Sequence, residues 1–174
     1  MPNRSIFTDA CVYVDGMQTL GLATTVTPPN ITYKTIEDNS LGAIATQEFN
    51  NGKIEAMEAK ITFNCFYKDI FSKVAHPFRS VQLAIYGNFI EYSGDEPVDN
   101  YGSKLFLRVS PKEFALLGEM NEHENIKPEY TLRVSAARLV VKDEELYNID
   151  ISNNILVVGG INVRAAVLAN LGIV

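Results

Sequence analysis

The sequence has no tryptophan and only two cysteines and two histidines among 174 residues. Each shortage removes a class of function. Cys11 and Cys65 are too few for a disulfide framework or a zinc ligand set within one chain. Both stand among apolar and aromatic neighbours, which predicts two small core hydrophobes; a bridge between them is left open. Basic residues are the minority charge, 15 Lys and Arg against 21 Asp and Glu, for a net charge of −6. Nucleic-acid binders rely on clustered Lys and Arg, so a grip on phosphate is excluded. Passage of a polyanion past acidic and neutral groups is not. Long apolar runs are missing as well. Ile155 to Val158 is far short of the roughly 20 residues that cross a bilayer, and residues 1–8 lack the apolar stretch of a signal peptide. A soluble chain made in the cytoplasm, with no membrane insertion, is expected.

Catalytic constellations are equally scarce. His76 precedes Pro77 at the end of a predicted helix, a capping or packing position. His123 lies between Glu122 and Glu124, but a metal site needs three or four convergent ligands, so the segment reads as a solvated acidic loop. Gly159-Gly160 lacks phosphate-loop spacing and follows no βαβ pattern. There is no G-x-S-x-G elbow. Carboxylates are numerous enough for a glycosidase-type pair, yet no tryptophan offers a sugar platform. The expectation is a non-enzymatic protein with no catalytic residue, cofactor or metal.

What the sequence does have is strand signal. With 47% hydrophobic and 21% charged residues it is an ordinary globular composition, read as one domain over 1–174. Asp15-Gly16 sits between strand-forming residues, a hairpin signal. Pro28-Pro29 ends the next strand, and 31–36 resumes. Residues 37–51 are polar and small, and read as a long loop with a task of its own. From Lys53 to Phe66, Met57, Ala59, Ile61, Phe63 and Cys65 alternate with Glu58, Lys60, Thr62 and Asn64, one long strand buried on one face and wet on the other. Residues 81–92 repeat this, with Val81, Leu83, Ile85 and Phe89 opposed to Gln82, Ala84, Tyr86 and Asn88. A turn region is expected over 93–102, a strand over 103–110, a polar loop over 118–128, a hairpin over 131–151 and a short strand over 155–158. Helices are expected at 67–75 and 163–171. The fold class is therefore mainly β, an antiparallel sandwich or barrel with one internal and one C-terminal helix. Long strands leave unpaired edges that must be covered or shared. Pairing between identical copies would close a ring with a polar inner face.

The run Ile6 to Gly16, then Gly21, Val26, Thr27 and Pro29 in a G-x-x-x-x-V-T-x-P stretch, resembles the opening of the major tail tube proteins of contractile phage tails. Lys34-Thr35, Gly42, the strand at 54–66, the hairpin from Leu139 to Ile151, and Asn162-Val163-Arg164 before a terminal helix continue the resemblance. It departs over 92–128, which is longer than the family pattern. The resemblance implies hexameric rings stacked into a hollow inner tube within a sheath. The tube would be started by a baseplate initiator, closed by a tail terminator and measured by a tape measure protein inside, and DNA would pass through to the bacterial host without specific binding. The strands at 31–36, 53–66, 81–92 and 103–110 would form the barrel wall. Glu58, Lys60, Thr62, Asn64, Gln82, Tyr86 and Asn88 are then lumen-facing, whereas Met57, Ile61, Phe63, Leu83, Ile85 and Phe89 face outward. The segment with Glu37, Asn39, Ser40, Leu41, Gly42, Phe49 and Asn50 would reach the adjacent ring. The tube of a headless bacteriocin or injection system, a free secretion-system ring, and a monomeric β-sandwich for a ligand or glycan are the other readings.

Overall fold

The computed structural model describes residues 3–19, 22–39, 41 and 44–173. In chain order the elements are β1 (Arg4–Val14), β2 (Met17–Gln18), β3 (Ala23–Thr27), β4 (Tyr33–Asp38), β5 (Gln47–Ile54), β6 (Met57–Phe63), α1 (Lys68–Val74), β7 (Val81–Ser93), β8 (Glu96–Phe114), β9 (Glu129–Val141), β10 (Glu144–Asp150), β11 (Ile155–Val158), β12 (Ile161–Asn162) and α2 (Ala165–Asn170). The fold is mainly antiparallel β, as the alternation predicts.

The main sheet runs β12-β11-β10-β9-β8-β7-β1-β2 and forks at β9. One edge of β9 pairs with β8 along its length, from Ser103↔Val141 to Phe114↔Tyr130. The opposite edge is shared. Its first half pairs with β6, from Met57↔Val134 to Thr62↔Glu129, and its second half with β10, from Asp150↔Ala136 to Glu144↔Val141. The register shifts against β8 at the changeover, beside Ser135; an extra residue there bends the strand and increases its twist. β3 completes the fork by pairing with β6.

That bend curls the sheet around one core. Met57, Ala59, Ile61 and Phe63 of β6 are buried with Val12, Val14, Val81, Leu83, Leu107, Val109, Tyr130, Leu132 and Val134. Each such aliphatic or aromatic side chain contributes about 1.5–3 kcal/mol when removed from water. Ile70 and Val74 of α1 close one end, where Phe63 meets Tyr130 edge-on at 5.7 Å and Phe71 meets Phe114 at 5.7 Å. The Asp15-Gly16 turn has φ of 51° and 78°, and the Lys142-Asp143 turn 51° and 62°. Positive φ at both central positions suits the twist of a two-residue hairpin.

Five expectations are corrected. The strand read over 53–66 is two strands that break at Glu55-Ala56. β5 pairs with β4, whereas β6 pairs with β3 and β9, so the two halves belong to different sheets. By the same pairing, 31–36 is not part of the main wall. Residues 37–51 are not all loop: 37–38 end β4 and 47–51 belong to β5, and these two strands form a β-hairpin; its described residues are mostly exposed, so its composition looked like that of a loop. The turn expected over 93–102 is confined to Gly94-Asp95, and β8 starts at Glu96. Pro97 is accommodated because it lies at a register shift opposite Tyr92, where a missing N–H does least harm. Finally, the cysteines are not core residues. Cys65 is exposed in the bend after β6 and Cys11 is half-buried on β1, both as free thiols.

Candidate functional site

The alternation that buries one face of the sheet projects the other outward. Gln82, Ala84 and Tyr86 of β7 pair with Arg108, Phe106 and Lys104 of β8, and Arg108 and Phe106 pair in turn with Ala136 and Arg138 of β9. Across this face runs an aromatic ladder: Tyr13 meets Tyr86 at 5.2 Å and Tyr86 meets Phe106 at 6.1 Å, both edge-on. Asn148 and Asp150 of β10 complete a shallow cleft of about 420 Å³ over the same strands. On the other branch of the fork, Glu58 and Lys60 continue the face beside Arg133 and Thr131.

The lumen candidates therefore fall on one surface although they come from β6 and β7. Two carry particular contacts. Asn88 donates its amide to the Thr8 hydroxyl at 2.9 Å. Asn64 is the exception, because it lies beyond β6 and accepts the Tyr67 hydroxyl at 2.6 Å just before α1. Its contact is with the helix start.

The cations and carboxylates of this surface pair across strands, which sequence reasoning missed. Lys60 lies 3.4 Å from Glu129 and Lys104 2.9 Å from Asp143. Arg108 lies 3.5 Å from Asp150, Lys112 pairs with Glu58, and Arg138 with Glu145. The Asp143 contact raises the Lys104 pKa. Burial pushes the Asp150 carboxyl up, but hydrogen bonds from Asn153 and Ser152 together with the Arg108 charge outweigh it, leaving the group below its ordinary value. Alternation within β8 puts Lys104 and Arg108 on the side opposite Leu105, Leu107 and Val109. Their partners are distant in sequence, and pairing there is set by register alone.

The second surface is the β4–β5 hairpin. Ile36 stands opposite Phe49, Thr35 opposite Asn50 and Glu37 opposite Glu48. Ile36 and Phe49 are 58% and 49% exposed, and Leu41 and Ile44 beyond them are fully exposed. Asn39 accepts the Thr46 hydroxyl at 2.7 Å at the hairpin's end. Ser40 and Gly42 lie outside the described residues. At the base of the hairpin Glu55 N–H donates to Thr32 O at 2.8 Å and joins the two legs, and the Tyr33–Tyr147 hydroxyl pair at 3.3 Å ties them to β10. Burial, then that hydroxyl contact, raises the Tyr147 pKa.

Among the described residues no group of three His, Cys, Asp or Glu is placed to hold a metal ion, and no helix is long and apolar enough to cross a membrane. His123 is open to solvent, 3.9 Å from Glu122. His76 accepts the Phe78 backbone N–H at 3.2 Å.

Residues 4–172 match the family model of phage tail tube protein FII. The chain belongs to that family. A tail tube protein is a structural subunit, and its surfaces serve assembly. Among solved structures the chain is similar to one in the cryo-EM structure of an extracellular contractile injection system, the PVC sheath–tube complex in its extended state. The TM-score is 0.52 at 13% identity, covering 76% of this chain and 86% of that one. At that identity the likeness shows the fold. A comparison with curated proteins returns no match. As a tail tube fold, the polar sheet face and the hairpin are the two surfaces to explain.

Proposed function

We propose that this tail tube protein forms hexameric rings that stack into the hollow inner tube of a contractile tail, conducting DNA and a tape measure protein toward a bacterial host. The observation that carries the reading is the coexistence of a polar sheet face with open edges on the sheet that bears it. Beyond its β2 pairing at Tyr13 and Val14, β1 presents a backbone edge over 4–11 that pairs with no other strand among the described residues, and Ile6 and Phe7 there are 52% and 55% exposed. Edges of that length are a liability in a monomer and a joint in a polymer. Edge pairing with the next copy continues the sheet round the ring, leaving Glu58, Lys60, Thr62, Gln82, Tyr86 and Asn88 toward the lumen. The hairpin with Glu37, Asn39, Leu41, Phe49 and Asn50 reaches the neighbouring ring and buries Ile36 and Phe49 there.

The protein acts without catalysis or cofactor. Its partners are its own copies, a sheath protein outside, an initiator at the baseplate and a terminator at the far end. It is made in the host cytoplasm and works in the virion tail. A headless injection particle is the second reading, favoured by the injection-system origin of the similar structure. Electron microscopy of the purified protein tests the assembly: hollow rods or rings are expected. A monomer that persists even with baseplate components would overturn it.

A further inference from the structure

The polar sheet face is acidic and basic at once. Lys60, Lys104, Arg108, Lys112 and Arg138 each pair with a carboxylate of the same face. The pairs cross between strands, and Lys112 reaches over β9 to meet Glu58. Exposed pairs of this kind contribute little to folding, so stability does not account for their repetition over one surface. Their effect on a passing charge is larger. A cation held about 3 Å from a carboxylate presents a dipole to a third charge, and its field is largely cancelled beyond a Debye length of about 8 Å at physiological salt. Arg133, the Cα partner of Glu58, makes no ion pair among the described residues, since Glu58 is engaged by Lys112.

We infer that this face is a masked polyanion-binding surface: its carboxylates hold Lys60, Lys104, Arg108, Lys112 and Arg138 in a form that duplex DNA does not grip. Removing the carboxylates converts it into a DNA-binding surface. The inference deepens the lumen reading, but rests on it only for where the face points; the masking is a property of the single subunit. It goes beyond low net charge, because net charge is indifferent to where the carboxylates lie.

The test uses the full chain with Glu58→Gln, Glu129→Gln, Asp143→Asn and Glu145→Gln together. Asp150 is left in place because it accepts the Ser152 and Asn153 backbone N–H groups. A matched variant, Asp95→Asn with Glu119→Gln, Glu122→Gln and Glu124→Gln, changes net charge equally but lies in a turn and a loop away from the face. Binding of a short fluorescent DNA duplex is read by anisotropy across a salt series. The face variant is expected to bind at least about tenfold more tightly than the unmodified chain, its salt slope steepening by up to about 0.9 per freed cation. The matched variant stays near the parent, and adding Arg133→Ala to the face variant weakens its binding. Equal binding by the two variants, or none by either, overturns the masking. If the fourfold variant does not fold by circular dichroism, Glu129→Gln with Glu145→Gln makes the same comparison at smaller amplitude. Closed circular DNA then separates the two readings, because it cannot thread a tube. Binding to variant subunits but not to assembled variant tubes supports both. Binding to both subunits and tubes leaves the masking standing and removes the lumen assignment.

Discussion

β6 and the β4–β5 hairpin are neighbours in the chain, joined through Glu55-Ala56, yet they solve opposite problems. Along β6 every second residue is buried, with Met57, Ala59, Ile61 and Phe63 at 1–2% exposure. Along β4 all residues are exposed, and β5 only adds half-buried Asn51 and Ile54. Both contain apolar residues. In β6 they are satisfied inside the subunit; in the hairpin Ile36 and Phe49 pair with each other and face water. The core of the body is closed within the subunit, whereas the apolar pair of the hairpin is not.

The strongest way to break that comparison is Ile61→Asp. It places a charge without a partner in the core, where an aliphatic truncation alone costs about 2–5 kcal/mol and an unpaired charge costs more. The subunit should unfold, seen as loss of the β signal in circular dichroism. A folded Ile61→Asp chain would mean that β6 has been assigned the wrong face. Next comes the hairpin itself. Excising residues 34–53 behind a short glycine-serine link should leave a folded subunit with a melting profile close to the parent, but no stacked tubes by electron microscopy. Long tubes from that variant would show that ring stacking does not use the hairpin. The double change Ile36→Ser with Phe49→Ser asks the same with the backbone intact, and should shorten tubes with less than about 1 kcal/mol effect on unfolding, as exposed positions allow.

Two smaller effects sharpen the contrast inside the body. Thr62→Asp lies on the polar face opposite Glu129, so only like-charge repulsion opposes it, less than about 1 kcal/mol by denaturant melting. The smallest effect concerns Lys142, whose Nζ lies 3.0 Å from Glu91, 2.6 Å from Asp99 and 4.3 Å over the Tyr101 ring. Hydrogen bonds from Asn3 and Lys142 lower the Glu91 pKa, and the Lys142 hydrogen bond lowers that of Asp99. Bonds to Asp99 and Glu91 push Lys142 itself up to about 12. Carboxyls depressed in the folded state add stability above their unfolded values, and it disappears as pH falls through the folded ones. The raised lysine adds stability below its ordinary value, which is lost as pH rises through about 12. Lys142→Met should therefore flatten the acid limb of melting temperature against pH below the ordinary carboxylate range. An unchanged acid limb would show that the cluster is not coupled to folding.

The body was legible in the sequence because burial writes a period of two into it. Met57 to Phe63 and Val81 to Ile85 were placed on their faces by alternation alone, and α1 and α2 fall within the helices expected at 67–75 and 163–171. Most of β4 was legible in the strand read over 31–36, but β5 was taken for loop up to residue 51, since a ribbon wet on both sides has little burial to imprint. The break at Glu55-Ala56 was hidden because the residues on both sides suit strands, and pairing partners are a tertiary fact. Cys65 was misplaced for a related reason: extending the β6 alternation by two residues carried it past the end of the strand. The polar face was visible as Glu58, Lys60, Gln82 and Tyr86, but Glu129, Glu145 and Asp150 join it only through the register of β9 and β10.

The sharing of β9 between β6 and β10 has a mechanical side. Both branches of the fork hang from one strand, and that strand is held to β8 from Ser103↔Val141 to Phe114↔Tyr130. A pull that slides β9 along β8 loads that whole ladder at once, whereas a pull that peels it away loads one rung at a time. The bend at Ser135 works as a detent against sliding, because a one-residue slip would have to carry the extra residue with it and turn buried side chains outward. β9 is thus the keel of the subunit: stress entering through either branch is gathered there and spread into its long ladder with β8.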